Sequence, residues 1–347
     1  MNIHGFQMQL NEAVRNADFK SDESIAMAIQ TLSSFSFDHY QDYLAKFVKD
    51  CVLQYLDNRK PNIRKAAAQA GCLLCVNKGK AHAISTSIMY EILEKFLNVA
   101  ISDTEDEIRQ EMLSSLNGNF DFYMNSPNYL RKLFLCVNDT NSKVQELALR
   151  ILCRLAGLNP SDIVPFMKKI LFQYLSQLTL YEMQNEGQVI DLINLLTCFI
   201  KHGSHIVKPH AESIASILIQ HLKDPTVSGH LIPSLLKCFS QLTALGEPQV
   251  MVYLHEIIPI ILQAVQDKSY TVKREAAVKS LVEICKNVGY VIMPYYRYPQ
   301  IMGIILGLLK NETSKEIRYE CLRMIGCMDN MVSKTFSQDL VNKLYHL

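Results

Sequence analysis

Apolar residues recur at three- and four-residue spacing along almost the whole chain, and strand-type alternation is nearly absent. That period puts one apolar stripe on each helix and predicts an all-α protein. Leu254, Ile257, Ile258, Ile261, Leu262 and Val265 fall on one stripe; Val272, Ala276, Ala277, Leu281 and Ile284 fall on the next. The helices come in pairs with a repeated joint. A long apolar helix ends in Asp or Asn, a polar turn follows, then an aliphatic residue, often with Arg or Lys after it and a small or apolar residue four positions on. Asp57 precedes Ile63-Arg64 and Ala67; Asp103 precedes Ile108-Arg109 and Met112; Asp139 precedes Val144-Gln145 and Ala148. Asp267 precedes Val272-Lys273 and Ala276; Asn311 precedes Ile317-Arg318 and Cys321.

Two degenerate units, anchored at Val189 and Leu231, lie between the third and fourth of these. Successive anchors Ile63, Ile108, Val144, Val189, Leu231, Val272 and Ile317 are 45, 36, 45, 42, 41 and 45 residues apart. This fits HEAT or armadillo units, roughly 40–47 residues per helix pair, and excludes the shorter tetratricopeptide and ankyrin periods. The turn Asp or Asn is expected to cap the second helix, and the aliphatic anchor to pack back on the first. One pair cannot bury its apolar face alone, so neighbours must stack.

The expected architecture is an α-solenoid of about seven helix pairs, wound as a right-handed superhelix. The pairs fall near 40–57/61–77, 84–100/106–118, 126–137/142–157, 160–178/185–202, 206–223/229–244, 248–266/271–288 and 297–310/315–328. Residues 1–22 form a polar segment, 23–179 about four repeats opening on an unpaired helix, 180–330 the remaining repeats, and 331–347 a C-terminal helix or tail. The first apolar stretch, Ile25–Phe37, has no earlier partner, which implies a piece of a longer solenoid or a truncated gene model.

Composition narrows the classes. The 347 residues suffice for two ordinary domains or one long array. With 35 Lys+Arg against 34 Asp+Glu the net charge is +1, which argues against nucleic acid as the main partner. At 49% hydrophobic and 20% charged the chain is not globally disordered. Its 13 glycines leave little room for a turn-rich β fold. Met1–Leu10 has no apolar core of a signal peptide. The longest apolar run, around Ile301–Leu309, is about eight residues and too short for a bilayer. The ten scattered cysteines then read as reduced, buried thiols of a cytoplasmic protein.

Candidate chemistry is sparse. Dinucleotide, P-loop, nucleophile-elbow, zincin and protein-kinase signatures are all missing from the sequence. No catalytic residue, cofactor or metal ligand is therefore expected. Cys72 and Cys75 form a lone C-x-x-C, read as two core positions of one helix. Cys198, His202, His205 and His210 are read as helix end and loop polarity. Gly303 and Gly307 suggest close helix packing within the solenoid. Two glycosylation sequons, at Asn138 and Asn311, and the acidic run Asp103–Glu107 lie in inter-helix turns. Tyr295, Tyr296, Arg297 and Tyr298, held between Pro294 and Pro299, are the candidate partner-binding residues, because Tyr and Arg concentrate interface energy. The alternative, packing of an inter-repeat joint, is favoured for these rings.

Four stretches resemble the central HEAT region of target-of-rapamycin (TOR) kinases. Thr31-Leu32-Ser33-Ser34-Phe35-Ser36-Phe37 is similar to T-L-G-S-F-E-F, and Ile101–Arg109 with Leu113 to Phe120-Asp121 follows I-T-D-x-D-x-x-I-R and its tail. Residues 133–166 track the next repeats. Gly289-Tyr290-Val291, Pro294-Tyr295 and Tyr298-Pro299, ending in Leu308-Leu309-Lys310, resemble G-Y-V-x-x-P-Y-x-x-Y-P and its helix. The resemblance runs from about Ser24 to Asn330 and includes the family's central domain of unknown function over 180–330. Gln145 departs from the usual I-R, and 184–246 matches weakly.

The resemblance implies a non-catalytic scaffold segment of a serine/threonine kinase that links nutrients to growth. Its partners would be the rest of the TOR solenoid, a raptor-like scaffold subunit and a second TOR copy, with no nucleic acid and no membrane span. The rival is a stand-alone HEAT adaptor, such as a phosphatase scaffold or transport receptor.

Overall fold

The computed structural model describes residues 22–34, 48–75, 86–180, 186–288 and 298–335. Those residues are helical or turn, with no strand among them. Helix α1 (Asp22–Ser33) is followed by a π-helical turn (Val48–Leu53) and a 3-10 turn (Tyr55–Asp57), then α2 (Pro61–Cys75), α3 (Thr86–Ser102) and α4 (Asp106–Ser115). A 3-10 turn at Gly118–Phe120 leads into the short α5 (Asp121–Met124), then α6 (Pro127–Cys136), α7 (Ser142–Leu155) and α8 (Pro160–Thr179). Next come α9 (Glu186–His202), α10 (Ser204–Val207), a 3-10 turn (Lys208–His210), α11 (Ala211–Lys223) and α12 (Ile232–Thr243). The last are α13 (Pro248–Val252), α14 (Leu254–Gln266), α15 (Thr271–Val288), α16 (Gln300–Asn311) and α17 (Lys315–Thr335).

The chain divides into two compact units, Met1–Val164 and Pro165–Leu347, with the boundary inside α8. In the first, the second helices of successive pairs, α2, α4 and α7, form one row. The first helices α3 and α6 form another, with α3 packed on α4 and α6 on α7. In the second unit α9, α12, α15 and α17 make the row of second helices, against which α11, α14 and α16 pack. This is an α-solenoid.

α1 lies on α2, the place a preceding second helix would take, and buries Ile29 there. The expected helix over 206–223 is split because Pro209 has no N–H for an α-helical bond, so the chain passes through a 3-10 turn. The 248–266 helix breaks at Tyr253, and α5 was not foreseen. The rest of the expected C-terminal helix or tail, after Thr335, lies outside the described residues.

Ile63, Ile108, Val144, Val189, Leu231 and Ile317 are buried. Val272 is not: it is 54% exposed. The buried stripe of α15 is Ala277, Val278, Leu281, Val282, Ile284 and Cys285, and at about 100° per residue Val272 sits roughly opposite Leu281. The turn aspartates also differ from expectation. Asp103, Asp139 and Asp267 accept the N–H two residues on, at 2.8–2.9 Å. They fold Asx-turns and do not cap the helix. The cap of α7 is Asn141, which accepts from Lys143 and Val144. Gly303 and Gly307 do not mark a tight crossing, since a Cβ on either would meet nothing within 4 Å. The close approach is at Gly71, where a Cβ would stand 2.7 Å from Phe96 Cζ and 2.8 Å from Val52 Cγ1.

Candidate functional site

Of the four proposed partner-binding residues, Tyr295, Tyr296 and Arg297 lie outside the described residues. Tyr298 is half-buried, and its Oη donates to the His255 carbonyl at 3.4 Å. That bond ties the start of α16 to α14, the role of a joint.

The joints are built on arginine. Arg64 donates through Nε to Asp103 Oδ2 and through Nη2 to Oδ1, both at 2.7 Å. Its Nη1 closes its own turn on the Asn58 carbonyl at 3.0 Å. Arg109 repeats the pattern one unit on, with Asp139 at 2.9 and 2.8 Å and the Asp103 carbonyl at 2.9 Å. Gln145, next in line, keeps the turn contact to the Asp139 carbonyl but has no charge to pair. In the second unit Arg274 donates to both Glu312 oxygens at 3.1 and 3.2 Å and to the Asp267 carbonyl at 3.1 Å. Each forked guanidinium thus fixes its own turn and the next one together.

Electrostatics follow the geometry. The hydrogen bond to Asp103 raises the pKa of Arg64, and that to Asp139 raises Arg109, each against the effect of burial. Burial opposes the charge on Asp139, but hydrogen bonds from Arg109 and the Asn141 N–H outweigh it and hold the carboxyl below its usual range. Arg274 likewise holds Glu312 down. Carboxylates saturated in this way organise structure and are not poised for acid–base chemistry. Burial pushes the Cys136 and Cys238 thiols up to about 12, so both stay protonated and unreactive. Cys198 is buried on α9 and His210 packs against Phe172. No three His, Cys, Asp or Glu side chains converge to hold a metal among the described residues. Cys72 and Cys75 lie on α2.

A second surface escaped sequence reasoning. On the first-helix side of the first unit, Tyr90 stacks on Tyr129 (6.3 Å, 19°) and stands edge-on to Tyr123 (5.8 Å), which meets Phe122 edge-on at 5.6 Å. Tyr129 Oη donates to the Tyr90 carbonyl at 3.1 Å. Phe122 is 78% exposed. The available signal was the run Phe120-Asp121-Phe122-Tyr123, in which buried Phe120 and exposed Phe122 cannot be told apart by spacing.

Rows of paired helices define a helical-repeat protein. The family model for "Importin subunit beta-1-like, TPR repeats" matches residues 131–344, and the chain belongs to this family of repeat proteins. The family's description carries the tetratricopeptide label that the spacing had excluded; the units here are nonetheless longer than 34 residues. More particularly, the chain is homologous to TOR kinases. It is 33% identical over 322 residues, 91% of its length, to serine/threonine-protein kinase tor1 of Schizosaccharomyces pombe. It is 31% identical over 303 residues to TOR2 of Saccharomyces cerevisiae and 28% over 348 to TOR of Arabidopsis thaliana. It spans only 12–14% of the length of these relatives. Among solved structures, one titled "Kap95:Nup1 complex" aligns over 97% of this chain and 41% of its own with a TM-score of 0.70 at 14% identity. An importin β structure aligns over 93% of this chain and 40% of its own with a TM-score of 0.66 at 13% identity. Both likenesses concern the fold. No described helix is long and apolar enough to cross a membrane.

Proposed function

We propose that this chain is a non-catalytic scaffold segment of a TOR-type serine/threonine kinase. In this reading it shapes the kinase complex in the cytoplasm, contributes to pairing with a second TOR copy, and docks a raptor-like accessory subunit in nutrient and growth signalling. Residues 180–330 would correspond to the central domain of unknown function, and the Tyr295–Tyr298 segment would contribute to partner contact. One observation carries the reading: identity with TOR kinases covers nine-tenths of the chain yet only about one-seventh of the kinase. The arginine joints support it, because a scaffold needs fixed geometry between units more than it needs a reacting cleft.

The test is immunoprecipitation with an antibody raised against this chain. A co-precipitating serine/threonine kinase activity is expected, on the same or an associated polypeptide, while the purified 347-residue chain with ATP and Mg²⁺ shows no phosphotransfer. Precipitation of the chain without kinase activity, or turnover by the purified chain, sinks the reading.

A further inference from the structure

Lys201, His202, His205, Lys208 and His210 fall within ten residues, and no carboxylate interrupts them between Asp191 and Glu212. The structure gives this stretch an apolar centre. The His210 ring stands edge-on to Phe172 of α8, centroids 4.9 Å apart at 70°. Phe172 is 50% exposed. One turn earlier on the same helix, Lys168 and Lys169 are exposed, at the three- and four-residue spacing that shares its face. Two and five residues before His210, Lys208 and His205 are exposed.

Lys168 and Lys169 form no ion pair among the described residues, and Lys208 reaches only Glu247, at 3.5 Å. The inter-repeat lysines behave otherwise: Lys65 holds Glu107 at 2.8 Å and Lys223 holds Glu256 at 2.5 Å.

We propose that Lys168, Lys169, Phe172, His205, Lys208 and His210 form a docking surface for an acidic peptide segment of a protein partner. Its carboxylates face the lysines and one apolar side chain lies on Phe172. A ring already held by a neighbouring imidazole loses little freedom on binding, the property of an interface anchor. The unpaired Lys168 and Lys169 ammonium groups, one turn away on the same helix, select a negative partner and speed its encounter. An anionic membrane fits less well, because inserting helices need a broad apolar face. On α8 the exposed Gln173, Ser176 and Gln177 separate Phe172 from the next exposed large apolar side chain, Leu180. The inference rests on surface chemistry and holds whether or not the chain serves a TOR complex.

The experiment measures fluorescence anisotropy of the full chain with a labelled Asp/Glu-rich peptide carrying one central Leu. The comparisons are the same peptide with Asn/Gln replacing the acids, and phosphatidylcholine vesicles with about 30% phosphatidylserine. The acidic peptide is expected to bind and the amide peptide not. The pair Lys168→Glu with Lys169→Glu should weaken binding about tenfold or more, and Phe172→Ser about fivefold or more. Lys168 and Lys169 are exposed, so the melting temperature should hold in the charge variants, and Lys168→Arg with Lys169→Arg should keep binding. Equal affinity for the two peptides, an intact affinity after charge reversal, or vesicle binding without peptide binding would overturn the proposal.

Discussion

At Gly71 a single hydrogen atom sets how closely α2, α3 and the turn before α2 approach. A methyl group there would sit well inside contact distance of Phe96 and Val52, both buried. A ring tip locked in a core cannot swing away, so overpacking should cost about 1–3 kcal/mol. Against that, alanine gains about 1 kcal/mol of helix propensity over glycine. Gly71→Ala is therefore expected to lower stability by up to about 2 kcal/mol net, read as a reduced urea midpoint. A midpoint that holds or rises would mean Val52 and Phe96 reposition freely. The sequence hinted at this site, because Ala66, Ala67, Ala68, Ala70 and Gly71 line one helix with small residues. Which of them makes the closest contact depends on Phe96, on another helix, and no local pattern points to it.

At the scale of elements, the helix pairs were legible because a 3.6-residue stripe survives whatever packs on it. At the joint of α15 two basic residues, Lys273 and Arg274, follow Val272, and local spacing points to the first. The turn carbonyls and Glu312 select the second, Arg274, which moves the buried stripe away from Val272. The difference is measurable. Val144→Ala removes two buried methyl groups and should cost about 2 kcal/mol. Val272→Ala should change stability by less than about 0.5 kcal/mol. Comparable losses from both in urea denaturation would contradict the assigned register. The role of the turn aspartates is hidden from local spacing for a related reason. Their arginine partners lie 39 and 30 residues away, beyond any local spacing rule. The Tyr90–Phe122 surface was invisible because α5 has four residues, too few to show a period.

For the molecule as a whole, charge and burial set opposite limits on the pH range of stability. Asp139 and Glu312 ionise more readily folded than unfolded. Their contribution is complete above the unfolded carboxylate range near pH 4 and is lost as pH falls through their lower folded values. Arg64 and Arg109, raised further by their carboxylate partners, stay charged throughout and add no limb of their own. Buried thiols act from the other side. Cys136 and Cys238 titrate at about 12 in the folded chain, against about 8.5 unfolded. Above that value the unfolded chain releases protons that the folded chain retains. Each thiol then removes about 1.4 kcal/mol of stability per pH unit until its folded value is reached. Under reducing conditions the urea midpoint should be nearly level from about pH 5 to 8, fall below about 4, and fall steeply above about 8.5. Cys136→Ala with Cys238→Ala leaves cavities and starts lower, but its alkaline limb should be shallower. An equally steep limb in that variant, or no alkaline limb in the wild type, would show that the thiols do not set the upper bound.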